Sequence, residues 1–309
     1  MNRMKQWVKD LEQSLFDDQP ICSESKAVRS GAWVHFRLFE LFVAAWAIAY
    51  AWTWGFYTFK SSVVVLELGL ANYIPVASLF GLPSMIIASV VTLGIALSIT
   101  RLSRWGYLIA ILALHLQYVV RFSQGEIPHS SNLLGFALLA LGVGFATHKD
   151  PVAQVRFTWG FLWFFVGLGY TSAAVSKLVG TGITWIDGQH LVLWIHEKAI
   201  DYASMTGAWS PNVLQSAILN SAWVGTLSLF IGWVTEAIGV LMWFRRLRPW
   251  VILVTIGMHF GITWTMNIVF VAFVMQLILT GFPWVEWLTT LQQKSRMSPS
   301  SSDGSTLKS

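Results

Sequence analysis

Phe157-Thr-Trp-Gly-Phe-Leu-Trp-Phe-Phe-Val-Gly-Leu-Gly-Tyr170-Thr-Ser-Ala-Ala174-Val-Ser-Lys177-Leu178 decides the fold class. Twenty residues pass before a charge appears, which is the length needed to cross a bilayer as an α-helix. The charge that ends the run is Lys177. An unpaired ammonium at membrane depth costs roughly 2.5–3.5 kcal/mol on insertion scales, so an intramembrane lysine marks a candidate functional site.

The rest of the chain repeats the pattern. Of its 309 residues 55% are hydrophobic and only 11% are charged, against about 25% charged in a soluble domain. This composition predicts an all-α fold, a polytopic helical bundle in a membrane. Many of the eighteen Trp, among them Trp33, Trp105, Trp185, Trp250, Trp284 and Trp287, stand at the ends of apolar runs, where aromatic residues sit at membrane interfaces.

About eight spans are expected, at 36–58, 83–100, 105–122, 131–147, 157–179, 218–243, 249–264 and 267–287, the last two only weakly separated. Residues 60–82, with Glu67, Asn72 and Pro75, read as interfacial or re-entrant, as do residues 185–215. Residues 1–30 form a polar segment in which Trp7, Val8, Leu11 and Leu15 mark either an amphipathic surface helix or a loose tail. Residues 31–290 form the transmembrane domain. Residues 291–309, with Ser298-Pro-Ser-Ser-Ser-Asp-Gly-Ser305, read as a disordered cytoplasmic tail. No cleavable signal is evident in residues 1–35, so the first span is expected to act as an uncleaved signal-anchor.

The net charge of +5 is a topological signal, not a nucleic-acid one. With the N-terminus cytoplasmic and eight alternating spans, only Lys60, Arg121, Lys177 and Lys198 of the twenty Lys and Arg fall on the outer side. That bias is what the positive-inside rule demands. It places both termini in the cytoplasm and Lys177 near the outer face, in an integral multi-pass protein of a membrane such as the bacterial inner membrane. The single Cys22 excludes an intrachain disulfide. No metal motif stands out, and no His pair at i, i+4 occupies a span.

Past Lys177 the chain continues as Trp185-Ile-Asp187-Gly188-Gln-His190-Leu191. The whole reads Tyr-x-x-Ala-Ala-x-x-Lys-Leu, a short gap, then Trp-x-x-Gly-x-x-Leu. It resembles the signature of the horizontally transferred transmembrane (HTTM) domain, which includes the membrane portion of vitamin K-dependent gamma-glutamyl carboxylases. Two further stretches carry the likeness, Thr235-Glu236-Ala-Ile-Gly-Val-Leu-Met-Trp-Phe-Arg245-Arg-Leu-Arg-Pro249 and Met258-His259-Phe260 with the later Gly281-Phe-Pro283-Trp284. The resemblance covers residues 33–290.

It implies carboxylase-like chemistry, of lyase or oxidoreductase type, if the chain is an enzyme. A lysine at the position of Lys177 would deprotonate a reduced quinone, assisted by a histidine from an earlier span. His129 matches that histidine, with Asn132 the competing position. Burial favours the neutral amine that such a base needs. Tyr170, Asn132, Trp185, His259 and Glu236 are the expected substrate-binding residues. Ala174 stands where the family motif has glycine, Ser176 where carboxylases carry a second lysine, and no large extra-membrane region follows. The alternative is a non-catalytic membrane binding or maturation partner of an exported peptide or membrane complex. A transporter is the weakest reading, because no inverted repeat appears. Snorkelling of Lys177 to the outer headgroups is the structural alternative to a base.

Overall fold

The structure is a computed structural model that describes residues 2–61, 66, 69–125 and 131–297. Among these residues it is entirely helical. Six helical segments are long and apolar enough to cross a membrane, or up to seven if one bent pair counts as a single span.

The helices are α1 (Asn2–Glu12), α2 (Lys26–Lys60), α3 (Leu82–Ile99), α4 (Gly106–Ser123), α5 (Asn132–Thr147), α6 (Pro151–Thr181), α7 (Gly188–Thr206), α8 (Val213–Asn220), α9 (Ala222–Ala237), α10 (Arg248–Met266), α11 (Val271–Gly281) and α12 (Trp284–Met297). Each of the eight apolar stretches is helical, but three differ from plain spans. The stretch expected at 218–243 starts in α8, breaks at Ser221 and continues as α9 and a 3-10 stretch. α5 has 16 residues, about 24 Å at 1.5 Å per residue, and is shorter than a hydrocarbon core of roughly 30 Å. The stretch expected at 267–287 is broken at Phe282-Pro283, where α11 and the start of α12 meet at 51°. Pro283 cannot donate its backbone nitrogen and disfavours helix in the residue before it.

Local chemistry sets the helix limits. Asp150 accepts a 2.8 Å hydrogen bond from the Ala153 nitrogen at the start of α6, with Pro151 in the first turn, a good N-cap. α10 ends at Asn267, whose φ of 55° is left-handed, as helix C-termini favour. α2 starts ten residues before the expected span, at Lys26, and crosses the boundary expected at residue 30. α12 continues to Met297, into the stretch expected as a tail. Residues 298–309 lie outside the described residues, as do Glu67 and His129.

The core runs through α2, α4, α5 and α6, with Phe36, Phe39, Ala47, Tyr107, Leu138, Leu141 and Leu162 wholly buried. Small residues let helices approach, as expected where lipid removes the hydrophobic drive between them. At the α3–α4 crossing, a Cβ on Gly94 would lie 2.6 Å from the Gly106 carbonyl, and one on Gly106 would lie 2.2 Å from the Gly94 carbonyl.

Contacts sort the basic residues to two ends. At one end Arg121 lies over Tyr57, near the Ser61–Gln124 bond. At the other Arg101 reaches Glu40, Arg156 pairs with Asp17, and Arg245 pairs with Glu286. Residues 13–22 dock on this second end. Leu15 and Ile21 are buried there, and Ser14 donates to the Trp243 carbonyl at 3.0 Å.

Candidate functional site

α6 and α9 run antiparallel. Trp243 Nε1 donates to the Phe164 carbonyl, Thr171 Oγ1 donates to that of Ala237, and Trp233 Nε1 donates to that of Ala174. As numbers rise on one helix they fall on the other. Beyond Ala237 the chain tightens into a 3-10 stretch, Ile238–Trp243. The Thr171 hydroxyl accepts from the Val240 nitrogen there at 2.8 Å. Gly239 makes the approach possible, since a Cβ at that position would lie 2.5 Å from Tyr170 Cβ.

This frame brings Lys177 to Glu236. Helical side chains lean toward their own N-terminus, so on antiparallel helices the two reach past each other and meet. The Lys177 ammonium donates to Glu236 Oε2 and forms an ion pair. Lys177 Nζ also lies 4.6 Å from the centre of the Trp185 ring, in cation–π range. The side chains keep 26% and 14% of their surface exposed, respectively. The amine is therefore turned into the bundle wall toward a carboxylate, and not outward to headgroups.

Two turns back along α6, Tyr170 Oη and His259 Nε2 share a 2.8 Å hydrogen bond. His259 is buried against Phe270 and Phe273, with ring centres 4.6 and 4.7 Å away. Its Nδ1 has no partner among the described residues. Thr171, next to Tyr170, bonds the carbonyl of Ala237, next to Glu236, so the two pairs adjoin.

Five expected site residues thus gather between α6, α9 and α10: Lys177, Glu236, Trp185, Tyr170 and His259. Asn132 is exposed at the start of α5, and no contact joins it to the cluster among the described residues. His129 lies outside them. Thr171 and Trp233 belong to the frame and were not singled out from the sequence. A threonine inside the Tyr170–Lys177 motif was the available signal for the first. Among the described residues no three His, Cys, Asp or Glu side chains come together to hold a metal ion.

The cluster thus holds one partly accessible ion pair, backed by a buried tyrosine–histidine pair. Comparison of the chain with protein-family models, with curated proteins and with solved structures finds no match.

Proposed function

We propose that the chain is an HTTM-type protein, related to the membrane domain of vitamin K-dependent carboxylases, that handles the hydroxyl proton of a quinol or other lipid-soluble compound. In this reading it crosses a bacterial inner membrane eight times, with both termini cytoplasmic and α7 and α8 outside. The observation that carries the reading is the partly exposed Lys177–Glu236 pair between apolar helices. Polar groups at this depth are costly and are kept where they serve a site.

In low dielectric an ammonium–carboxylate pair can exchange its proton to become amine and acid, because desolvation disfavours both charges. The neutral Lys177 then takes the proton of the bound hydroxyl. The new ammonium stays beside the oxyanion, and Glu236 remains protonated. Trp185 supports the ammonium with its ring face. A reduced quinone, when bound, supplies an anion able to react with oxygen. The residues here bind it, take its proton and hold it in place.

The anaerobic absorption spectrum of menadiol bound to the purified protein tests the proposal. The bound quinol is expected as its anion near neutral pH in the wild type and as the neutral form in Lys177→Met and Lys177→Arg. Guanidinium stays protonated and cannot act as a base. A neutral quinol in the wild type, or an anion in Lys177→Arg, sinks the base assignment.

Orientation is tested by maleimide labelling of intact cells in a Cys22→Ser background. Ser210→Cys is expected to react from outside and Arg246→Cys only after the membrane is opened; the reverse pattern overturns the topology.

One observation favours the second reading, a docking partner for an exported peptide. An open cleft lies beside α7 and α8, lined by Lys198, Tyr202, Trp209, Asn212 and Trp264, with about 1140 Å³ of empty space including its mouth.

A further inference from the structure

A different cleft lies at the opposite end of the bundle, beside the Arg245-Arg246-Leu-Arg248 turn. It opens between the first turns of α2, the start of α6, residues 18–21 and the break between α11 and α12. Its empty space including the mouth is about 630 Å³, room for a phosphate ester whose longer chains leave by the mouth.

Most polar groups on its wall are already engaged. Arg245 pairs with Glu286 and donates to the Asp18 carbonyl. His35 Nε2 bonds the Leu279 carbonyl at 2.7 Å, and the ring stacks on Trp159. The Asp18 side chain is exposed at the rim.

Two groups are left over. Arg248 donates from Nε to the Met242 carbonyl at 2.8 Å and lies 4.7 Å over the Trp163 ring. No carboxylate among the described residues pairs with it. Gln19 is 8% exposed, and its amide nitrogen is fixed by bonds to the carbonyls of Leu15 (2.6 Å) and Arg156 (3.1 Å). Those bonds settle which atom is nitrogen, and they leave Oε1 buried with no donor. The cleft thus presents one guanidinium without an anion, while the donorless Gln19 oxygen is buried in its wall.

We propose that this cleft binds the headgroup of an anionic glycerophospholipid, with its phosphate on Arg248. The chemistry is that of an anionic phosphate ester. Guanidinium binds phosphate through paired N–H donors, and basic pockets between spans at the cytoplasmic side suit anionic headgroups. The tryptophans Trp159, Trp163 and Trp284 line the same cleft, as suits a site at the interface. A choline headgroup fits worse, because its quaternary nitrogen would sit beside Arg245 and Arg248. The inference does not depend on the Lys177 site, which lies toward the other end of α6.

Native mass spectrometry of the full-length protein in detergent tests it, with phosphatidylglycerol and phosphatidylcholine added in competition. Wild type and the exposed control Arg246→Gln should hold phosphatidylglycerol about tenfold more tightly than phosphatidylcholine. Arg248→Gln should lose that preference, about the size of one charge-assisted contact. If Arg248→Gln does not fold, Arg248→Lys keeps the charge without the planar fork and should show an intermediate preference. Displacement of the lipid by millimolar sn-glycerol 3-phosphate would support the site and assign it to a soluble phosphate ester. Equal retention of the two lipids by the wild type, or an undiminished preference in both Arg248 variants, overturns the proposal.

Discussion

Two carboxylates inside the helical bundle, Glu40 and Glu236, meet opposite surroundings. Glu40 is 1% exposed and accepts from Arg37, from Arg101 through both oxygens (2.6 and 2.9 Å) and from the Tyr107 hydroxyl (2.6 Å). Every lone-pair direction is used, and Arg101 also lies 4.5 Å over Phe145. Glu236 has Lys177 as its ion-pair partner, and both side chains keep some exposed surface. A saturated network fixes a structure, whereas a pair with spare capacity can exchange a proton with something that arrives. Under the proposed function, the contrast gives Glu40 a structural role and Glu236 a role in the site.

Breaking the saturated network should have the largest effect on the fold. Glu40→Gln removes the charge that holds Arg37, Arg101 and Tyr107. Breaking a buried pair costs about 3–5 kcal/mol, and the low end applies because the two arginine side chains are 46% and 37% exposed. Thermal unfolding in detergent should show a large loss of stability, and an unchanged midpoint would deny Glu40 its role. Tyr107→Phe deletes one bond to the same carboxylate and should cost about 1.5 kcal/mol, seen as a smaller shift in the same experiment.

On the other side of the comparison, Lys177→Met should change the midpoint little, by less than about 1 kcal/mol, the scale of single interhelical polar contacts in membranes. A loss as large as that of Glu40→Gln would make both carboxylates structural and erase the contrast.

The helical segments were legible because lipid imposes a simple rule: long apolar runs become helices with their hydrogen bonds made internally. What sequence could not supply is which polar groups meet across helices. Arg37–Glu40 was readable as an i, i+3 pair on one helix, but Arg101 and Tyr107 reach Glu40 from 61 and 67 residues away. His115, a mid-span polar residue of the kind that bridges helices, is exposed beside Tyr118. Its neighbour Gln117 makes the bridge, to the carbonyls of Ala51 and Ser84. A two-residue step turns a side chain by more than half a helical circle, and composition carries no absolute phase. Lys177 with Glu236, and Tyr170 with His259, were placed in one site from the motif, but their pairing required the antiparallel register of α6 and α9. The short α5 was already legible in the apolar run 131–147, whereas the break at Phe282-Pro283 was hidden because hydropathy records length and not direction.

The most direct test exchanges the pair. Lys177→Glu with Glu236→Lys restores an ion pair between the same helices, so membrane abundance and unfolding midpoint should match the wild type. The amine would then project from α9, away from Trp185, and a base displaced by even an ångström loses much of its effect. Bound menadiol should therefore stay neutral in the exchanged protein although the fold is intact. Recovery of the menadiol anion together with stability would contradict the account and reduce Lys177–Glu236 to a structural contact.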